Sequence, residues 1–253
     1  MLPHIPGSDD ACHIAPAFSE RALQDAESII ASHARKLTSQ IGTLPDNAQP
    51  GSWTEPKNMS HWATYFGFDF VGDLGYGSSF EMLDKEEYRW IPPTLMSGSK
   101  FLYYVGYLPF AALVRPFLGS SLQNYIGGQE AADSLKYTLV ANQRLADRMA
   151  LEKKMRGSGD SRQDSRKDTF YYLLNSKDLV TGKAFTTEEL QADSALIIAA
   201  GSDGVALTIS ATIFYLLRNP SALSRLISTI RSAFTSASEI QNPILSSLSY
   251  LTA

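Results

Sequence analysis

The sequence predicts a mainly α-helical fold. Three observations carry that expectation. Apolar residues recur at steps of three and four in block after block. Prolines, glycines and capping residues separate those blocks. The period-two alternation of half-buried strands is scarce along the 253 residues.

Each block is justified in turn. Leu23, Ala26, Ile30, Ala34, Leu37 and Ile41 form one stripe. They predict an amphipathic helix that opens near Ser19 and closes at Gly42. Residues 43–57 hold three prolines and read as a loop. Trp62, Phe66, Phe70 and Leu74 predict a core-facing helix over 58–74, ended by Gly75 and Gly77. Residues 86–107 predict an aromatic-rich helix with Pro92 and Pro93 in its first turns. Residues 109–128 are broken by prolines and glycines. Residues 129–156 read as one long helix with Ala131, Leu135, Leu139, Asn142 and Leu145 facing inward. Residues 157–167 are charged and without period, which predicts a mobile surface loop. A short helix is expected over 169–175. Thr186-Thr-Glu-Glu is a capping signal that opens the longest apolar helix, to about Leu217. Asn219-Pro220 stops it, because the residue before proline avoids the helical region. An amphipathic helix over 221–234 follows, then a short helix and turn over 242–253.

Composition excludes several function classes. Hydrophobic residues make up 44% and charged residues 19%, against general disorder. The net charge of −4 supplies no field for nucleic acid or an anionic membrane, and the basic residues from Arg144 to Lys167 are interleaved with acids. Cys12 is the single cysteine, so an internal disulfide and a multi-cysteine metal site are both excluded. His4, His13, His33 and His61 form no i, i+4 pair, and no protein-built metal site is expected. The first residues lack a basic and an apolar signal region, so no leader or anchor is expected there. Ala195–Leu217 is apolar or small apart from Asp203 and several hydroxyls. A membrane span would place that carboxylate in hydrocarbon, so a buried core helix is expected instead.

Ala200-Gly201-Ser202-Asp203-Gly204 is out of place in such a helix. Each glycine costs about 1 kcal/mol relative to alanine, and a buried carboxylate must be paired. Such local rule-breaking marks either a functional site or close helix packing at Gly201 and Gly204 with Asp203 paired elsewhere.

This segment resembles the cytochrome P450 family of haem-thiolate monooxygenases, whose pattern here is Ala/Gly-Gly-x-Asp/Glu-Thr-Thr/Ser. Two further stretches are similar to fungal members: Phe18-Ser19-Glu20-Arg21-Ala22-Leu23, and Phe68-Asp69-Phe70-Val71-Gly72-Asp73-Leu74-Gly75-Tyr76-Gly77. Phe214-Tyr215-Leu216-Leu217-Arg218-Asn219-Pro220 resembles the family's helix end. The resemblance implies a partial P450 fold over residues 1–253, a single domain containing the oxygen-activation helix. It implies that Ala200 and Gly201 leave room for oxygen and substrate, and that Asp203 relays protons. Gly204 stands where the family has a threonine whose hydroxyl serves the bound oxygen, so slower or uncoupled oxygen activation is expected. Thr208 lies one turn further on and does not simply substitute.

The resemblance further implies haem, NADPH through a reductase partner, and an apolar small-molecule substrate of fungal secondary metabolism. The family usually resides at the endoplasmic-reticulum membrane; without an anchor, a cytoplasmic or peripheral location is expected. The aromatic residues between Phe101 and Phe117 suit a substrate-access lid or core packing. The family's Glu-x-x-Arg helix and cysteine loop do not follow Gly204, and Cys12 lacks the loop's glycine-arginine setting. A truncated, haem-free and inactive remnant is therefore the alternative expectation.

Overall fold

The computed structural model describes residues 20–44, 52–108, 113, 121–158, 168–177 and 182–252. Among the described residues every regular element is helical. The helices of the described residues run in order: α1 (Glu20–Gly42), α2 (Met59–Tyr76), α3 (Ile91–Tyr107), α4 (Ser121–Ser158), α5 (Thr169–Asn175), α6 (Thr187–Arg218), α7 (Pro220–Ala233), α8 (Ile244–Ser247) and α9 (Ser249–Thr252). A 3-10 turn, Ala237–Glu239, links α7 to α8.

Local chemistry fixes most of these ends. The Asn58 side chain accepts a hydrogen bond from the Ser60 amide and caps α2. Gly77 closes it in the left-handed region at φ 70°, its amide donating to the Asp73 carbonyl at 3.0 Å. Asp168 caps α5 by accepting from the Tyr171 amide at 2.6 Å. Thr186 and Glu189 form the expected reciprocal box.

α2 lies at the centre. It packs against α1 on one side and α6 on the other, and it is buried nearly all round. One core gathers Phe68, Tyr76, Phe80, Ile91, Phe170 and Ile198 with neighbours from α4. A smaller one joins Leu37, Phe66 and Leu83 to Val205 and Ile209 of α6. Asp69 is fully buried between them and accepts from the amides of Met82 (2.8 Å) and Leu83 (2.9 Å). These bonds fold the 77–90 connection back onto α2. Arg144 of α4 then covers the rings of Phe80 and Tyr88.

Several expectations are corrected. The third helix starts at Ile91, not at 86; Pro92 and Pro93 occupy its first positions, where their missing N–H groups do no harm. The long helix expected from Gln129 is preceded by a further helical segment from Ser121, and the two meet at a kink at Gly128, whose φ is 62°. Its inward stripe runs through Ala131, Ser134, Tyr137, Ala141 and Leu145, while Leu139 is 59% exposed. Tyr137 faces inward because its hydroxyl donates to the Ala195 carbonyl of α6. On α1, Ala26, His33 and Leu37 are buried while Ile30 is exposed. The loop expected over 157–167 overlaps the end of α4 at 157–158, and the rest lies outside the described residues. So do Cys12, His4, His13 and most of the stretch from Pro109 to Phe117. Tyr103, Tyr104 and Tyr107 are exposed, so ordinary core packing does not account for them.

Candidate functional site

α6 is the one described helix long and apolar enough to cross a membrane by length and composition. Its buried share there is 17%, so the helix is far less covered than the buried core helix expected. A single stripe is buried: Leu190, Ser194, Ile198, Ser202 and Ala206, each four residues from the last.

The hydroxyls in this stripe are satisfied. Ser194 Oγ donates to the Ala141 carbonyl at 3.0 Å, and Tyr76 Oη lies 2.6 Å from Ser194 Oγ. Ser202 Oγ donates back to the Ile198 carbonyl at 2.6 Å. The helices approach closely at this level. A Cβ on Gly67 of α2 would lie 2.5 Å from the Ser202 carbonyl oxygen, and one on Gly201 would lie 2.8 Å from Val71 Cγ2. Gly201 thus serves close packing.

Gly204 does not: a Cβ there would meet nothing within 4 Å. Ala200, Asp203 and Gly204 are exposed, and Leu196 (63%) and Leu207 (68%) extend the same open side. Ala200 and Gly204 are four apart and share a face. Asp203 is therefore neither buried nor inside the packing seam, which goes against the close-packing alternative. Thr208 Oγ1 donates to the Gly204 carbonyl at 2.8 Å, so its hydroxyl is engaged within the helix.

Asp203 also lines a cavity of about 690 Å³ between α2, α3 and α6. Phe68, Leu95 and Met96 give it apolar walls, and His61, Tyr65 and Arg89 add polar groups. Arg89 Nε donates to the Met82 carbonyl at 2.8 Å, and its guanidinium stacks over Tyr65 at 4.6 Å. The sequence stripe placed Trp62 and Phe66 inward but gave no sign of this cavity. It arises where three helices cross, and only Asp203 among its polar lining was singled out from sequence.

Comparison with known proteins now decides the family. The cytochrome P450 family model matches residues 13–253. The chain belongs to the cytochrome P450 family. Cytochrome P450 monooxygenase fscF of Fusarium equiseti is 33% identical over 241 residues, covering 95% of this chain and 44% of the relative. Cytochrome P450 monooxygenase apf7 of Gibberella fujikuroi is 31% identical, covering 87% of this chain and 40% of the relative. The chain thus spans less than half the length of these relatives. The crystal structure of the cytochrome P450DA heme domain matches with a TM-score of 0.67 at 16% identity, over 95% of this chain and 46% of that one. At that identity the match shows the fold alone: a partial, mainly α P450 fold.

The family implies haem, and the described residues fit one side of it. Ala200 and Gly204 form an open, small-residue face that a flat macrocycle can approach closely. An iron thiolate is a separate requirement, and there is no cysteine among the described residues.

Proposed function

We propose that this chain forms the oxygen-activation part of a haem-thiolate monooxygenase acting on an apolar small molecule, in a single P450-like domain over residues 1–253. The observation that carries the reading is the open face of α6 at Ala200 and Gly204, with Asp203 beside it. The named fungal monooxygenases that match it support the same reading. Secondary metabolism and electrons from NADPH through a reductase belong to this proposal.

Haem, when bound, supplies the activation of dioxygen for insertion into a C–H bond. The chain's own residues do the rest. Ala200 and Gly204 hold the helix open at the close-approach point. Gly201 seats the helix on Val71 and so sets its distance from α2. Asp203 presents a carboxylate to solvent and to the α2–α3 cavity, where it can take up and release a proton. Gly204 offers no hydroxyl, and that of Thr208 is bonded to a carbonyl. Proton delivery therefore rests on Asp203 and solvent.

The test is a chimera in which residues 13–253 replace the matching part of the Fusarium equiseti relative. The expected result is haem incorporation with the reduced–carbon monoxide Soret band of thiolate-ligated haem. Product should form poorly per oxygen consumed. Gly204→Thr should raise coupled turnover by about 10²-fold, the low end of what a positioned acid–base group contributes. A folded chimera that binds no haem would overturn the reading in favour of a haem-free, inactive remnant.

A further inference from the structure

Arg89 is the one arginine or lysine in the lining of the cavity between α2, α3 and α6. It stands just before α3, in the connection that Asp69 folds back onto α2. Four contacts hold it. Its Nε donates to the Met82 carbonyl at 2.8 Å, and its Nη1 reaches Glu86 at 3.3 Å. Its guanidinium lies 4.6 Å from the centroid of the Tyr65 ring and 5.4 Å from that of Trp62. The Arg89 side chain is 22% exposed and that of Glu86 is 88% exposed, so their ion pair is a weak surface one. A guanidinium carries five N–H donors. The Met82 and Glu86 contacts use two of them, and Nη2 makes no protein hydrogen bond among the described residues. The cavity therefore holds a largely desolvated cation, fixed in direction, with donors to spare. Phe68, Pro92, Pro93, Leu95 and Met96 give it apolar walls, and its volume of about 690 Å³ suits a small molecule.

We propose that this cavity is a binding site for a small apolar carboxylic acid, with Arg89 as the residue that receives the carboxylate. The guanidinium fork offers parallel N–H groups to two carboxylate oxygens, an arrangement that lysine cannot supply. The apolar walls take the hydrocarbon body, and the few polar groups fix its orientation. A cationic ligand meets a held positive charge, and its one acidic partner in the lining, Asp203, is exposed to water. A neutral ligand covers the spare N–H groups without a charge-assisted bond in return. Among the described residues the ion pair of Arg89 is with Glu86 and not with Asp203, so Asp203 stays in the cavity as a like charge against the bound carboxylate. Binding is non-covalent and uses this chain's own residues. The inference goes beyond the monooxygenase reading and does not rest on it.

The test is equilibrium dialysis of the full chain at neutral pH with two probes, cinnamate and its uncharged counterpart cinnamamide. Cinnamate should bind about tenfold or more tightly than the amide, the scale of hydrogen bonds to a charged group. Arg89→Gln should erase that preference. Arg89→Lys, which keeps the charge and loses the fork, should retain only part of it. Two further variants lie away from the Met82 bond, and they decide alone if Arg89→Gln does not fold. Asp203→Asn removes the like charge and should tighten cinnamate while leaving cinnamamide unchanged. Met96→Trp, at a position 65% exposed, should fill part of the cavity and weaken both probes. Far-UV circular dichroism identifies the folded variants. Equal binding of the two probes by the unaltered chain, or binding of neither, overturns the proposal. So does a cinnamate preference that survives Arg89→Gln, ignores Asp203→Asn or is untouched by Met96→Trp, because the probe then sits elsewhere. Haem incorporation by the chimera, or its failure, changes none of these outcomes, so the two readings fail separately.

Discussion

Gly67 and Gly204 show how one residue type answers opposite demands. A methyl on Gly67 runs into the Ser202 carbonyl oxygen at 2.5 Å, and a helix backbone cannot step aside as a flexible side chain would. Gly67→Ala is expected to cost about 1–3 kcal/mol through overpacking. A methyl on Gly204 meets nothing, so Gly204→Ala should stabilise the chain by about 0.5–1 kcal/mol through helix propensity. Urea midpoints of the two variants check both signs. Two carboxyls also act in opposite directions. For Glu152, burial works to raise the pKa, but hydrogen bonds from Asn175, Arg156 and Arg148 outweigh it and hold the carboxyl below its ordinary 4.5. Its stabilising contribution is present above that value and is lost as pH falls through the folded value. For Asp69, burial outweighs the Leu83 and Met82 amide bonds and raises the carboxyl above 3.8. Its contribution is present at low pH and is lost as pH rises. Glu152→Gln should therefore flatten the loss of stability on acidification, as read by urea unfolding at a series of pH values below about 5.

Pairs of helices are held by a few buried polar contacts. Arg148 of α4 is 4% exposed, and its Nε donates to Asp168 Oδ2 at 2.7 Å while Nη1 reaches Glu152 at 3.2 Å. Asp168 simultaneously caps α5. Asp168→Ala removes a cap and a buried counter-charge together. A loss of about 3 kcal/mol or more is expected in chemical unfolding. Tyr76 ties α2 to α6 through Ser194 and stacks on Phe170 at 4.7 Å. Its phenol is pushed well above the ordinary range by burial, so it stays neutral and available as a donor. Tyr76→Phe keeps the ring contact and should cost only about 1 kcal/mol. The contrast between the two variants separates a buried ion network from a single neutral hydrogen bond.

Across the whole molecule, the end of α6 beyond Ile209 and all of α7 stand apart from the two cores. Leu207 (68%), Tyr215 (64%) and Leu217 (68%) are exposed, and no residue of α7 is buried. Large exposed apolar side chains in this number mark an interaction surface. A polypeptide of this sequence by itself is expected to self-associate and to bind a hydrophobic dye. Leu207→Gln combined with Leu217→Gln should reduce both, as measured by light scattering and dye fluorescence. In the relatives, this chain's match accounts for less than half of the sequence, so the corresponding helices there have much more protein available to cover them.

Helix identity and several helix ends were written in the sequence itself. Thr186 with Glu189, Asn219 before Pro220, and Gly77 after Tyr76 each act within about four residues, and the structure places the boundaries there. The motif Ala200-Gly201-Ser202-Asp203-Gly204 likewise carried the family, since it depends on order along the chain. Which side of each helix is covered was decided by tertiary structure. Ser194 is buried through partners at Tyr76 and Ala141, 118 and 53 residues away, and Tyr137 displaced Leu139 from the inward stripe for the same kind of reason. Periodicity finds an apolar stripe but not its partner. That is why Asp203 is exposed beside a cavity with His61 and Arg89 and not buried in the helix core: only the crossing of α2, α3 and α6 brings those three residues together.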